Sequence, residues 1–398
     1  MSDWKECRIG DICQTNLVQY KENQGWSDFL YLDTSNITEN QIAELQGFNN
    51  FKDLPSRARR IVENDDIIYS TVRPNLKHYG IIKNKPDNLL VSTGFCVITA
   101  NKTKVHPDFL YYILSQKEKV DYLHGIAEQA VSTYPSIKAS DIEGLILTLP
   151  PLSEQKKIAG ILSALDEKIE TNRKINARLE ELAQAIFKSW LTTCKDRVKI
   201  GELCSNILDY TPNLRPKVRL INSADITEGR FDDYPLVENK NLKGHFKKRF
   251  RREDILYSEI RPRNHHYGYA LIDGDEYVVS TRFMIIRNLP DKVTSAILYQ
   301  YLLLPEVEAD FTAKTESRSG TFPQGTYKDL ETIEVPYSSN QNYIDAILRL
   351  VRHKIFSLQK ESARMSELRD TLLPKLMSGE IKVEGPQSSQ STQNNSTI

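Results

Sequence analysis

The chain has 398 residues, enough for two or three domains that each bury a core. Hydrophobic residues make up 39% and charged residues 27%, with 53 basic against 53 acidic side chains, so the formal net charge is zero. This mixture excludes a disordered or fibrous chain, and no apolar run approaches the ~18 residues of a membrane span. The opening Met1 to Glu6 does not read as a signal peptide, so a cytoplasmic location without membrane attachment is expected.

In chain order, residues 1–150 read as a β-rich domain punctuated by turns. Runs at 66–72 and 89–100 cluster β-branched and aromatic residues between Asn, Asp, Gly and Pro. A helical pattern follows at 107–122, then the turn Ser132-Thr133-Tyr134-Pro135, then a last strand ending at Pro150-Pro151. Residues 151–194 carry a helix without interior Pro, whose apolar positions step by four and three: Ile158, Leu162, Leu165, Ile169, Leu179, Ile186.

The second half then repeats the first. Asp66-Ile67-Ile68-Tyr69-Ser70-Thr71-Val72-Arg73-Pro74-Asn75-Leu76-Lys77-His78-Tyr79-Gly80 returns 188 positions later as Asp254 to Gly268, with 9 of 15 positions identical. Chance would give about one. Val91-Ser92-Thr93 returns as Val279-Ser280-Thr281, Ile9 to Cys13 as Ile200 to Cys204, and Asn36 to Glu39 as Asp225 to Glu228. Residues 195–338 therefore form a second domain of the same kind, with strand signals at 277–287 and a helical pattern at 293–304. Its counterpart turn is Gly320-Thr321-Phe322-Pro323. A second long helix fills 339–383, with apolar positions Ile344, Leu348, Val351, Ile355, Leu358, Met365 and Leu372. Both stripes keep a heptad seam and each needs a partner; the simplest arrangement packs the two helices on each other, each about 55 Å long. Asn172 and Asn176 interrupt the seam, either fixing register or facing a partner protein. Residues 384–398 are low in complexity and are expected to be disordered.

Catalytic signatures are missing: no phosphate loop, dinucleotide fingerprint, nucleophile elbow or His-Glu-x-x-His occurs. Five cysteines without a Cys-x-x-Cys pair argue against a metal site, and Cys13 and Cys204, at matched places, read as small core residues. A non-catalytic binding protein is expected.

The candidate binding residues come in matched pairs. Arg59 and Arg60 align with Lys247 and Lys248, placing positive charge at equal points of both copies. The Ser-x-x-Arg-Pro cores put Ser70 with Arg73 and Ser258 with Arg261 at a strand end, where each arginine either contacts a ligand or braces its loop. Beyond the proline, Asn75 and Lys77 in one copy and Arg263, Asn264 and His265 in the other project from a turn. Arg282 replaces Gly94; Thr133, Tyr134 and Thr321 lie on the later turn. His78 and His266 are equivalent and are either hydrogen-bonded between strands or available for contact. Arg reads guanine edges, Asn reads adenine, and Lys, Ser or Thr can hold phosphates. Residues shared by the copies suit the scaffold, and residues that differ suit sequence reading. The rival is a duplicated coiled-coil scaffold for protein interactions without DNA binding.

Two variable domains, each followed by a similar helix, the first opening Pro150-Pro151-Leu152-Ser153-Glu154-Gln155-Lys156-Lys157-Ile158-Ala159, resemble the specificity subunit of type I restriction–modification systems. The ending Leu372-Leu373-Pro374-Lys375-Leu376-Met377-Ser378-Gly379-Glu380-Ile381 is similar to the family's terminal repeat, whereas Asn340-Gln341 departs from the Glu-Gln of the first helix start. The resemblance implies an α+β fold with a pseudo-two-fold internal repeat: two similar β-rich target recognition domains separated by an antiparallel coiled coil. It implies that each domain reads one half of a bipartite, asymmetric site in double-stranded DNA. Methylation would belong to two copies of an adenine methyltransferase subunit using S-adenosylmethionine. Cleavage would belong, where such a partner exists, to an ATP- and Mg-dependent restriction endonuclease subunit, with no cofactor held by this chain.

Overall fold

The computed structural model describes residues 4–130, 135–231, 234–316 and 324–383; Thr133, Tyr134, Thr321 and the 384–398 tail lie outside them. The chain divides into two compact units, one comprising 1–168 with 364–398 and the other 169–363.

In the first unit, one four-stranded sheet orders Gln46–Phe48, Phe29–Leu32, Leu89–Ser92 and Ala58–Ile61, with a parallel pair at its centre. A second orders Cys13–Thr15, Phe95–Ala100, Ile67–Ser70 and Tyr79–Ile81, antiparallel throughout. The run at 89–100 reads as one strand in the sequence but is two, in different sheets. The chain turns at Thr93-Gly94, where the Gly94 N–H donates to Ser92 Oγ at 3.2 Å and Ser92 itself is buried. A buried Ser two residues before the break thus ends one ladder by satisfying the next backbone donor. Leu32, Ile68, Val91, Phe95 and Val97 form one apolar cluster drawing on both sheets. Against the second sheet pack helices Pro107–Ser115 and Lys117–Ala130, through Phe109, Leu110, Leu114 and Leu123. Strand Lys5–Arg8 pairs antiparallel with Ile146–Leu149.

The second unit repeats this plan. Its sheets order Leu236–Glu238, Lys217–Ile221, Tyr277–Ser280 and Phe246–Lys248, and Cys204–Asn206, Phe283–Asn288, Ile255–Ser258 and Tyr267–Tyr269. The helices are Ser295–Leu302 and Pro305–Glu316, and Asp196–Lys199 pairs antiparallel with Glu334–Tyr337. Burial pushes the Cys13 and Cys204 thiols up to about 12, as expected of small core residues rather than nucleophiles.

The long helices run over Leu152–Leu191 and Asn342–Met377. The two-helix seam expected from the heptads needs correction at both ends. Ile158 and Leu162 are fully buried in the first unit's core with Phe109, Leu110, Leu376 and Met377. Ile344, Leu348, Val351 and Ile355 sit in the second unit's core with Ala183, Phe187 and Tyr301. Each helix start therefore completes a domain core as well as meeting its partner. The remaining seam positions Leu165, Ile169, Leu179, Ile186, Met365 and Leu372 are half-buried, as a two-helix pair leaves them, and Leu358 is buried.

Polar side chains tie the helices together within each unit. In the first, Arg369 donates to Asp166 at 2.7 Å, and the Tyr112 hydroxyl donates to the other Asp166 oxygen at 2.6 Å. In the second, buried Arg352 forms a bidentate pair with Glu180 and lies 4.9 Å from the Tyr299 ring centroid. Asn172 donates to Glu361 at 2.9 Å and to Ser362 at 3.3 Å, which makes it a cross-helix contact. Partners ascend on one helix (172, 180) as they descend on the other (361, 352), so the pair is antiparallel. Asp166 and Arg352 hold equivalent helix positions, at the spacing that aligns Ile158 with Ile344 and Leu162 with Leu348. The sign of the ion pair is thus exchanged between the two units.

Candidate nucleic-acid interface

The Ser-x-x-Arg-Pro cores build the same strained corner in both units. Strands Ile67–Ser70 and Ile255–Ser258 end on a serine whose Oγ lies 2.9 Å from the Val72 carbonyl in one copy and 3.3 Å from the Ile260 carbonyl in the other, as donor. The same Oγ accepts from the Val72 or Ile260 N–H, at 3.2 and 3.1 Å. Ser70 and Ser258 are buried, so both leave the set of candidate DNA contacts and become strand-end caps.

Next, Arg73 and Arg261 enter the left-handed region, at φ 46° and 47°. A single 3-10 turn follows, Pro74–Leu76 or Pro262–Asn264, and it closes on a second left-handed residue, Lys77 at φ 56° or His265 at φ 53°. Two non-glycine residues in that region cost about 1–2 kcal/mol each, so the surrounding structure must hold them. It does so by matched contacts. The Glu39 and Glu228 N–H groups donate to the Lys77 and His265 carbonyls, both at 2.9 Å. Nδ1 of His78 donates to the Ile37 carbonyl at 2.6 Å, and Nδ1 of His266 to that of Ile226 at 2.8 Å. A carbonyl can only accept, so the proton sits on Nδ1 and both histidines brace the corner. Gly80 and Gly268 let the bracing hairpin approach: an added Cβ would lie 2.6 Å from Ile37 or 2.7 Å from Phe231.

The basic candidates divide by environment. Lys248 is 3% exposed and donates to the Phe283 carbonyl, with Glu259 at 3.9 Å. Burial lowers its pKa, with Glu259 opposing. Arg60, its counterpart, is half-buried and donates to the Phe95 carbonyl and Asn16. The sequence places both among the candidate DNA contacts, but both instead hold the break between the two sheets through these carbonyls. Arg59 donates to the Ala58 carbonyl at 2.8 Å and stacks 4.9 Å from the Phe51 ring centroid, while Lys247 is exposed.

On the turn, Arg73, Asn75, Lys77, Arg261, Arg263 and Asn264 are exposed. Lys77 pairs with Glu39 at 2.6 Å, and Arg263 with Glu316 at 3.1 Å. His265 lies between Glu228 at 3.0 Å and Glu308 at 2.8 Å. Burial works against its charge, but these two carboxylates outweigh it and raise the His265 pKa. Arg282 is exposed, with Nη1 3.5 Å from Gln324 Oε1. Nothing in the sequence marks Gln324, Glu259 or Glu308 for this site, whereas Glu39 and Glu228 close the repeated Asn36 to Glu39 and Asp225 to Glu228 segments.

Both corners thus present an exposed, pre-bent turn on an equal backbone, with different side chains. Comparison with known proteins accords with that design. Residues 1–181 match the family model described as "Type I restriction modification DNA specificity domain". The HindI type I restriction enzyme specificity subunit of Haemophilus influenzae is 38% identical over 190 residues, which is 48% of this chain and 41% of that protein. This chain therefore spans less than half of that relative's length. The MjaIX specificity subunit of Methanocaldococcus jannaschii is 24% identical over 354 residues, covering 80% of this chain and 78% of that one. The solved type I restriction–modification S subunit of M. genitalium shares the fold at 17% identity, with a TM-score of 0.57 over 96% of this chain and 97% of that one. Residues 1–181 thus resemble a type I restriction–modification DNA specificity domain, and the second half of the chain repeats the same α+β plan.

Proposed function

We propose that this chain is a sequence-specific DNA-binding subunit that reads a bipartite, asymmetric site and directs an adenine methyltransferase, with a restriction subunit where one exists, to that site. The carrying observation is the pair of corners, equal in backbone and unequal in side chains: Asn75, Leu76 and Lys77 against Arg263, Asn264 and half-buried His265. Equal backbones suit the phosphate frame that every duplex offers, and unequal side chains suit two different half-sites. The chemistry then belongs to partners. Two methyltransferase copies, one per half-site, would bring S-adenosylmethionine, and a motor-nuclease would bring ATP and Mg.

The test is to express the full chain with its neighbouring genes and map the methylated adenines across the host genome. A split, non-palindromic motif is the expected result. Affinity for duplex DNA should also fall steeply between about 50 and 200 mM salt, since phosphate neutralisation releases counterions. A complex that modifies nothing and binds no duplex at any ionic strength would favour a protein-interaction scaffold.

A further inference from the structure

Beside each corner the two units share a second construction, a three-way junction of backbone segments. In the first, the Thr71 N–H donates to the Gly94 carbonyl at 2.8 Å, the Ile137 N–H donates to the Thr71 carbonyl at 2.8 Å, and Val72 bridges Ser136. In the second, the Glu259 N–H donates to the Arg282 carbonyl at 2.8 Å, the Gly325 N–H donates to the Glu259 carbonyl at 2.8 Å, and Ile260 bridges Gln324. Even the caps agree: Gly94 N–H to Ser92 Oγ at 3.2 Å, and Arg282 N–H to Ser280 Oγ at 3.3 Å.

On this common frame the side chains have nothing in common. Thr71, Gly94 and Ser136 are small, and the Thr71 hydroxyl is spent on the Gly94 carbonyl at 2.8 Å. Glu259, Arg282 and Gln324 are long and polar, and they form a chain. Buried Lys248 lies 3.9 Å from Glu259 Oε1, Glu259 Oε2 accepts from Gln324 Nε2 at 3.3 Å, and Gln324 Oε1 faces Arg282 Nη1 at 3.5 Å. Glu259 can only accept, so it fixes which end of the Gln324 amide is the donor. Gln324 and Arg282 are both exposed at the open end. A neighbouring exchange makes the difference possible. A Cβ at Gly94 would lie 2.9 Å from Thr34 Cγ2, whereas the matching turn Ser223–Asp225 begins with a serine, which lacks that methyl.

We infer that Arg282 and Gln324, with Glu259 as the positioning residue, form a purine-reading site of the second domain that the first domain does not possess. This rests on the DNA-recognition reading above and names where one half-site is read. A guanidinium can donate two parallel hydrogen bonds to guanine N7 and O6, and an oriented amide can pair bidentately with adenine N6 and N7. The small residues of the first junction cannot reach a base edge from the same frame, so the asymmetry of the target would begin here.

The test uses the full chain expressed with its neighbouring genes, methylated sites being mapped for the wild type, Arg282→Ala, Gln324→Ala and Glu259→Gln. Arg282→Ala should lower the preference for a purine at one position of one half-site by about tenfold or more, with the other half-site unchanged. Glu259→Gln should relax the same half-site in the wild-type background and add nothing in Gln324→Ala. A thermal melt within about 2 °C of wild type is expected of the exposed Arg282→Ala and Gln324→Ala and would exclude unfolding; Glu259→Gln, beside buried Lys248, is compared only at temperatures where its own melt shows it folded. Unchanged motifs in both Arg282→Ala and Gln324→Ala, or changes spread over both half-sites, would overturn the assignment while leaving the parent reading intact. A wild-type complex with no split motif would sink both.

Discussion

His265 shows how one residue can be conserved in geometry and changed in chemistry between two copies. It shares the left-handed backbone of Lys77 but swaps a single ion pair for two carboxylates, Glu228 and Glu308. Its folded pKa is raised, so its protonated form stabilises the corner. That contribution is complete below the ordinary histidine value of about 6.5 and is lost as pH rises through the higher folded value. An NMR titration of the His265 ring should find its midpoint above the ordinary value, and Glu308→Gln should move it down. A midpoint that ignores Glu308→Gln would refute the pairing. The buried serine caps are a second residue-scale case. Ser258→Ala leaves the Ile260 N–H without its partner inside the corner and should cost about 1–3 kcal/mol in urea unfolding. Sequence alone flagged these serines because they recur, yet recurrence does not say whether a hydroxyl faces a ligand or its own backbone. Ser70, Ser258, Arg60 and Lys248 all read as surface contacts for that reason and are all packed inward.

At the scale of elements, the duplication made the domains legible, and the heptad spacing made the long helices legible almost to their ends. What the spacing could not convey is which partner each apolar residue has. A stripe on a helix is the same pattern whether it meets another helix or a sheet-and-helix core. Leu348 is fully buried among residues of the second domain, so Leu348→Ala should cost about 2–5 kcal/mol, whereas Leu182→Ala, at a half-exposed site, should cost little. Chemical denaturation of the two variants decides this, and equal costs would show that the helix start is not a core element. The strand runs at 89–100 and 277–287 failed differently. Both are continuous in β propensity, and the break at Thr93-Gly94 or Thr281-Arg282 is set by buried serines whose Oγ accepts from the N–H two residues on. Helix Pro305–Glu316 carries too few apolar positions to be legible, and it is seated by Val307 and Phe311 in the second unit's core.

At the scale of the whole chain, the exchanged sign of the helix ion pairs has a consequence for self-association. Were Leu152–Leu191 to lie against its own duplicate from another copy in the same register, Asp166 would meet Ala183 and Glu180 in place of Arg369. Asn342–Met377 against its duplicate would bring Arg352 toward Arg369, leaving a nearly inaccessible guanidinium without a counter-ion, at a cost of about 3–5 kcal/mol. The double variant Glu180→Arg with Arg369→Glu inverts those terms: it opposes like charges within one chain and makes each helix complementary to its twin. Light scattering on that variant should show more dimer than the unaltered chain, while Asp166→Arg with Arg369→Asp, which restores a pair, should not; no difference between them would discard the idea. Polarity so arranged lets a duplicated polypeptide tell its halves apart, and keeps two unlike domains from being traded for a matched set.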